Sequence, residues 1–86
     1  MFTAHIDGQA LKFLEKLKDT ELKKRLMNNI DELELDPFPR NCKMVEGYEH
    51  KAFRVRVGGY RILYYVIFET QTVWVFIIDK RGTVYD

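Results

Sequence analysis

Hydrophobic residues follow one period in the first half of the chain and another in the second. Ala10, Leu11, Phe13, Leu14 and Leu17 recur at helical spacing, with Lys12, Glu15, Lys16 and Lys18 mostly on the opposite side. Leu22, Leu26, Ile30 and Leu33 form a second apolar stripe. Asp7 stands before the first stripe, and Asp19 or Thr20 before the second. Each is a helix cap by type, because a short polar side chain can accept from the orphan amides of a first turn. So short a link between stripes predicts an antiparallel helical hairpin. Two prolines, Pro37 and Pro39, then end the second helix and open a loop over 36–41, since proline lacks an amide donor and disfavours helix before it.

From Phe53 onward the pattern becomes that of strands. Residues 53–57, 60–68 and 72–79 are rich in Val, Ile, Tyr, Phe and Trp. Gly58-Gly59 reads as a two-residue hairpin loop, and residues 69–71 make a second turn. Residues 2–6 alternate loosely and read as a short first strand. The expected order is strand, helix, helix, strand, strand, strand. That is an α+β fold, with an N-terminal strand and an antiparallel helical hairpin packed on one face of an antiparallel sheet.

At 86 residues, 1–86 make a single domain. A composition 47% hydrophobic and 31% charged belongs to a folded chain. Cys42 stands alone, so no internal disulfide is expected and a reducing, cytoplasmic compartment is. The opening residues lack the pattern of a signal peptide. The most apolar run, residues 73–78, is far short of the roughly 20 residues of a membrane-spanning helix, so no membrane is expected.

The net charge of +1 is uninformative, but its distribution is not. Lys51, Arg54, Arg56 and Arg61 lie between Glu49 and Glu69 with no acid among them. With Gly58-Gly59 as the loop, Val57 pairs with Tyr60 and Arg56 faces Arg61. Arg54 shares that face, whereas Val55, Val57, Ile62, Tyr64 and Val66 point to the other. Like charges opposed across strands destabilise a sheet, so the arrangement suits a polyanion. The bland alternative is a solvated face whose arginines pair with Glu46, Glu49 or Asp79. After the last strand come Lys80, Arg81 and Tyr85, and rings beside guanidinium groups suit nucleic acid. A ring merely packed over the sheet edge would account for Tyr85 equally well. His5, His50 and Cys42 have no metal-ligand spacing, and Asp31, Glu32, Glu34 and Asp36 read as a solvated helix end. Gly58-Gly59 precedes a strand rather than a helix, so it is no phosphate loop. His50, in the loop before the arginine strand, is an additional proton donor to weigh.

The segment Phe53-Arg54-Val55-Arg56-Val57-Gly58-Gly59-Tyr60-Arg61-Ile62-Leu63-Tyr64-Tyr65-Val66, followed by Lys80-Arg81-Gly82-Thr83-Val84-Tyr85, resembles the RelE/ParE toxin superfamily. The resemblance runs nearly end to end. It implies the toxin of a type II toxin–antitoxin system: a ribosome-dependent, metal-independent endoribonuclease that cuts mRNA in the A site. It further implies a RelB-like antitoxin, a toxin–antitoxin heterotetramer and no cofactor. By the same resemblance Arg54, Arg56, Arg61, Arg81 and Tyr85 are the catalytic residues, with Lys51 and Lys80 as RNA contacts. ParE-type relatives share the fold but inhibit DNA gyrase, and a non-catalytic RNA-binding module is a further alternative. RelE proteins are often strongly basic, and this chain departs from them in being nearly neutral.

Overall fold

The computed structural model describes residues 1–80. Strand β1 (Thr3–Ile6) is followed by helices α1 (Gly8–Lys16) and α2 (Thr20–Leu35). Strands β2 (Lys43–Val45), β3 (Ala52–Val57), β4 (Tyr60–Ile67) and β5 (Thr72–Lys80) complete the order. Among the described residues, no helix is long and apolar enough to cross a membrane.

The helices end where their polar neighbours dictate. Asp19 caps α2, its Oδ1 accepting from the Leu22 amide at 3.0 Å. Asp7 occupies the matching position before α1, but its side chain makes no capping bond. Gln9 instead ties α1 down from within its first turn. Its Nε2 donates to the Ile78 carbonyl at 2.8 Å, and its Oε1 accepts from the Ile78 amide at 2.9 Å. A side-chain amide thus substitutes for a neighbouring strand on β5, beyond the point where β1 stops pairing at Val75. α2 stops at Leu35, immediately before Asp36-Pro37.

The strands form one five-stranded sheet in the order β1-β5-β4-β3-β2. Its pairings are antiparallel except that β1 runs parallel to β5, so the sheet is mixed rather than wholly antiparallel. Hydrophobic alternation marks a strand but is blind to the direction of its partner, which here follows from the helices that intervene between β1 and the rest. β2 is an additional strand that the pattern did not predict. Its three residues, Lys43, Met44 and Val45, are too few to show a period.

Both helices cover one face. Ala10 and Leu14 of α1, with Leu22, Leu26, Ile30 and Leu33 of α2, pack on Val55, Val57, Ile62, Tyr64, Val73, Val75 and Ile78. Tyr64 is fully buried in this core, and its hydroxyl donates to the Pro37 carbonyl at 2.8 Å. That bond anchors the loop leaving α2 and gives a buried phenol the partner it needs. The opposite sheet face carries the arginines.

Candidate nucleic-acid interface

The β3–β4 hairpin pairs Arg56 with Arg61 and Val57 with Tyr60, the register expected from its glycine loop. Gly58 alone of the two loop residues has positive φ, at 60°. This is the pattern of a type II′ turn, in which only the first central residue is left-handed. With Val55 and Val57 committed to the core, Arg54 and Arg56 project from the other side of β3. Arg61 joins them from β4. Arg54 and Arg61 keep only 6% and 7% of their surface exposed. None of the three is an unpartnered cation, as so little exposure requires.

Arg61 is engaged by Asp79. Its Nε donates to Oδ1 at 2.7 Å and its Nη2 to Oδ2 at 3.2 Å, a two-point pair. One of the three acids named as a possible partner is therefore found beside the arginine row. A β-bulge makes this contact. Leu63 pairs with Ile77 but the next residue, Tyr64, pairs with Val75, leaving Phe76 as the extra residue on β5. Without it, the alternation that sends Val73 and Val75 to the core would send Asp79 there too. With it, Ile78 enters the core opposite Ile62 and Asp79 lies opposite Arg61.

The other residues singled out in the sequence are distributed unequally. Lys80 is exposed at the end of β5, opposite Tyr60, and so near the hairpin end of the sheet. Lys51 is exposed just before β3, five positions from Arg56, or roughly 17 Å along an extended chain. The fold does not bring it to the Arg56–Arg61 pair. His50 makes a T-shaped contact with Tyr65, their ring centroids 5.4 Å apart. Arg81 and Tyr85 lie outside the described residues. Among those described, no group of three His, Cys, Asp or Glu residues converges on a metal position.

Sequence reasoning missed the rings on this face. Tyr65 and Phe76 stack in parallel with centroids 4.3 Å apart, and Tyr48 from the β2–β3 loop meets Phe76 at 5.1 Å. Tyr65 follows Arg61 and Leu63 along the non-core side of β4, a signal already present in the alternation. Phe76 and Tyr48 could not be assigned to a face without the bulge and the loop path. Partial burial, the Glu49 carboxylate and Tyr48 together hold the Tyr65 hydroxyl above the ordinary tyrosine range, so it is neutral near pH 7. The arrangement offers cations for phosphates, flat rings for bases and a phenol able to donate.

The sequence matches the family model described as the ParE toxin of the type II toxin–antitoxin system, parDE, over residues 5–85. No protein with a curated description matches it by sequence. Among solved structures, it is similar to the archaeal RelE–RelB complex from Pyrococcus horikoshii OT3. That match has a TM-score of 0.81 and 26% identity, over 96% of this chain and 98% of that one. The toxin–antitoxin complex RelBE2 from Mycobacterium tuberculosis gives a TM-score of 0.79 and 26% identity, over 93% and 98%. The isolated RelE toxin of E. coli gives 0.77 and 26%, over 95% and 86%.

Proposed function

Because this chain belongs to the ParE toxin family of type II toxin–antitoxin systems, within the RelE/ParE superfamily, we propose that it is a toxin of the RelE kind, an endoribonuclease that cuts mRNA on the ribosome. One observation carries the reading. Arg54, Arg56 and Arg61 share the sheet face that the helices leave uncovered, with Arg56 and Arg61 directly opposed. Such a cluster of guanidinium groups, with Arg61 held in place by Asp79, is the kind of surface that steers and holds a polyanion.

The reaction is attack of a ribose 2′-hydroxyl oxygen on the adjacent phosphorus. The bond to the 5′-oxygen breaks, leaving a 2′,3′-cyclic phosphate and a 5′-hydroxyl. The nucleophile belongs to the substrate, so the protein holds the nucleotide in line and neutralises charge in the transition state. Arginine keeps its proton at any relevant pH and acts as a fixed donor rather than an acid. Asp79 orients the Arg61 guanidinium and takes up part of its charge. Arg81 and Tyr85 enter the site through the family resemblance alone. Proton transfer falls to Tyr85, water or ribosomal RNA, because the hairpin register sets His50 and Lys51 at the Tyr65 end of the sheet, away from the Arg56–Arg61 pair. An activity directed at the ribosome would take place in the cytoplasm.

A partner follows from the same family. The archaeal and mycobacterial relatives were solved as RelE–RelB and RelBE2 complexes, and an antitoxin bound over this chain, in a heterotetramer, would hold it inactive. The test is in vitro translation followed by mapping of message ends. Cuts within ribosome-bound message, absent from naked message and from the Arg61→Ala variant, are expected. The family model matched is that of a ParE toxin, which makes gyrase inhibition the second reading. Intact message together with blocked DNA supercoiling would establish it instead.

A further inference from the structure

We propose that Tyr48, Tyr65 and Phe76 form a stacking platform for a base of single-stranded RNA, beside the arginine row. This rests on reading the arginine face as an RNA surface, and adds to it a base subsite on residues of β4, β5 and the β2–β3 loop.

The rings have no part in the core, which lies on the other side of the sheet. Tyr65 and Phe76 are parallel within 10°. Tyr48 stands edge-on to both, at 69° to Phe76 and 75° to Tyr65, and keeps 38% of its surface exposed. His50 meets Tyr65 edge-on at 85°. Trp74, paired across strands with Tyr65, extends the aromatic surface to His5 on β1, the two rings stacked 4.3 Å apart. Tyr65, Trp74 and Phe76 are half-buried and Tyr48 is exposed, so Tyr48 carries the most open part of this aromatic surface.

The neighbouring charge selects the occupant. Tyr65 is four residues from Arg61 on the same strand and the same face, about 13 Å along it. That is the reach of a nucleotide or two of extended chain. A ligand with phosphates at the arginines and bases at the rings meets both features at once. Base stacking is tolerant of sequence because every base has a π-face. The platform therefore holds the strand in register without dictating which base it takes.

The experiment measures binding of a short single-stranded RNA to the full chain at low salt by fluorescence anisotropy. An abasic position is stepped along the RNA, and wild type is compared with Tyr48→Ala and Tyr48→Phe. Thermal melting verifies that both variants are folded. Tyr48→Ala should weaken binding about 5- to 150-fold, the value of one base–aromatic stack. Tyr48→Phe should retain nearly full affinity. Wild type should lose a similar factor when the abasic position reaches the platform, and Tyr48→Ala should not sense it. Wild-type affinity in Tyr48→Ala, indifference of the wild type to every abasic position, or no binding at all would overturn the platform. Cleavage is assayed separately on programmed ribosomes. Uncut message with ring-dependent binding intact would sink the nuclease and leave the platform. Cut message with no dependence on the rings would do the reverse.

Discussion

Arg61 is the side chain in which fold and proposed chemistry meet. Asp79 holds its Nε–Nη2 edge at two points, so a phosphate would encounter a guanidinium already aimed. Replacing Arg61 with alanine should slow message cleavage roughly 10²–10³-fold, the cost of one preorganised donor. Arg61→Lys should recover little of this, because an ammonium lacks the planar fork. Asp79→Asn should lower stability by about 1.5–3 kcal/mol, the range for hydrogen bonds to charged groups, read as a shift in the urea midpoint. Tyr64 gives a separate test. Burial above all, then the Cys42 thiol and the Asp36 carboxylate, push its hydroxyl far above the ordinary value of 10.0. Above that pH the unfolded chain sheds the phenolic proton and the folded chain keeps it, so stability is full below pH 10 and declines as pH climbs past it. Tyr64→Phe should cost about 0.5–1.5 kcal/mol at neutral pH through loss of the bond to Pro37. It should also show a shallower alkaline decline, measured by urea unfolding from pH 7 to 11.

Elements depend on a few polar contacts at their ends. Gln9 completes the backbone pairing of β5 at Ile78, one residue before Asp79. Gln9→Ala would strip both bonds from a half-buried strand segment, costing about 1–3 kcal/mol. By loosening β5 it should also reduce cleavage, because Asp79 on that strand aims Arg61. Rescue by Gln9→Asn is not expected, since the shorter side chain cannot reach both atoms. Thermal unfolding and cleavage rate measured on the same preparation separate the two effects. The hairpin has a similar weak point. Gly58 has a φ of 60°, and a Cβ there would meet Arg25 Nη2 at 3.2 Å. Gly58→Ala should destabilise by about 1–2 kcal/mol from the left-handed backbone and, through the Arg56–Arg61 register, lower activity as well.

For the molecule as a whole, the division between its two faces governs both stability and partners. One face supplies the core beneath two helices, and the other gathers arginines and rings although the whole chain carries only +1. Association with an RNA polyanion should therefore fall steeply with salt, because bound cations release condensed counterions from the phosphates. An antitoxin that binds only the folded chain should raise its stability by mass action, about 2.7 kcal/mol at a free concentration one hundred times its Kd. Differential scanning calorimetry of the copurified pair against the isolated chain measures that gain. An unchanged midpoint on addition of a cognate antitoxin would contradict the proposed partnership.

Local chemistry written along the chain determined the helices, the main strands and the hairpin. The stripe Leu22, Leu26, Ile30 and Leu33 is buried throughout, because a helix puts those spacings on one side whatever surrounds it. Asp36-Pro37 ends α2, and Gly58-Gly59 sets Arg56 against Arg61, since covalent geometry restricts both places to few conformations. Asp7 shows the margin of such reasoning, holding a cap position without making the cap bond. Tertiary structure alone decided the parallel pairing of β1 with β5, the short strand β2 and the bulge at Phe76. Each depends on contacts between residues far apart in sequence, which no local period encodes. The bulge matters most for the proposed site: one extra residue reverses the facing of everything after it. It delivers Asp79 to Arg61 and keeps Ile78 in the core, a choice made by packing against α1 and by the Gln9 bonds rather than by the alternation of β5 itself.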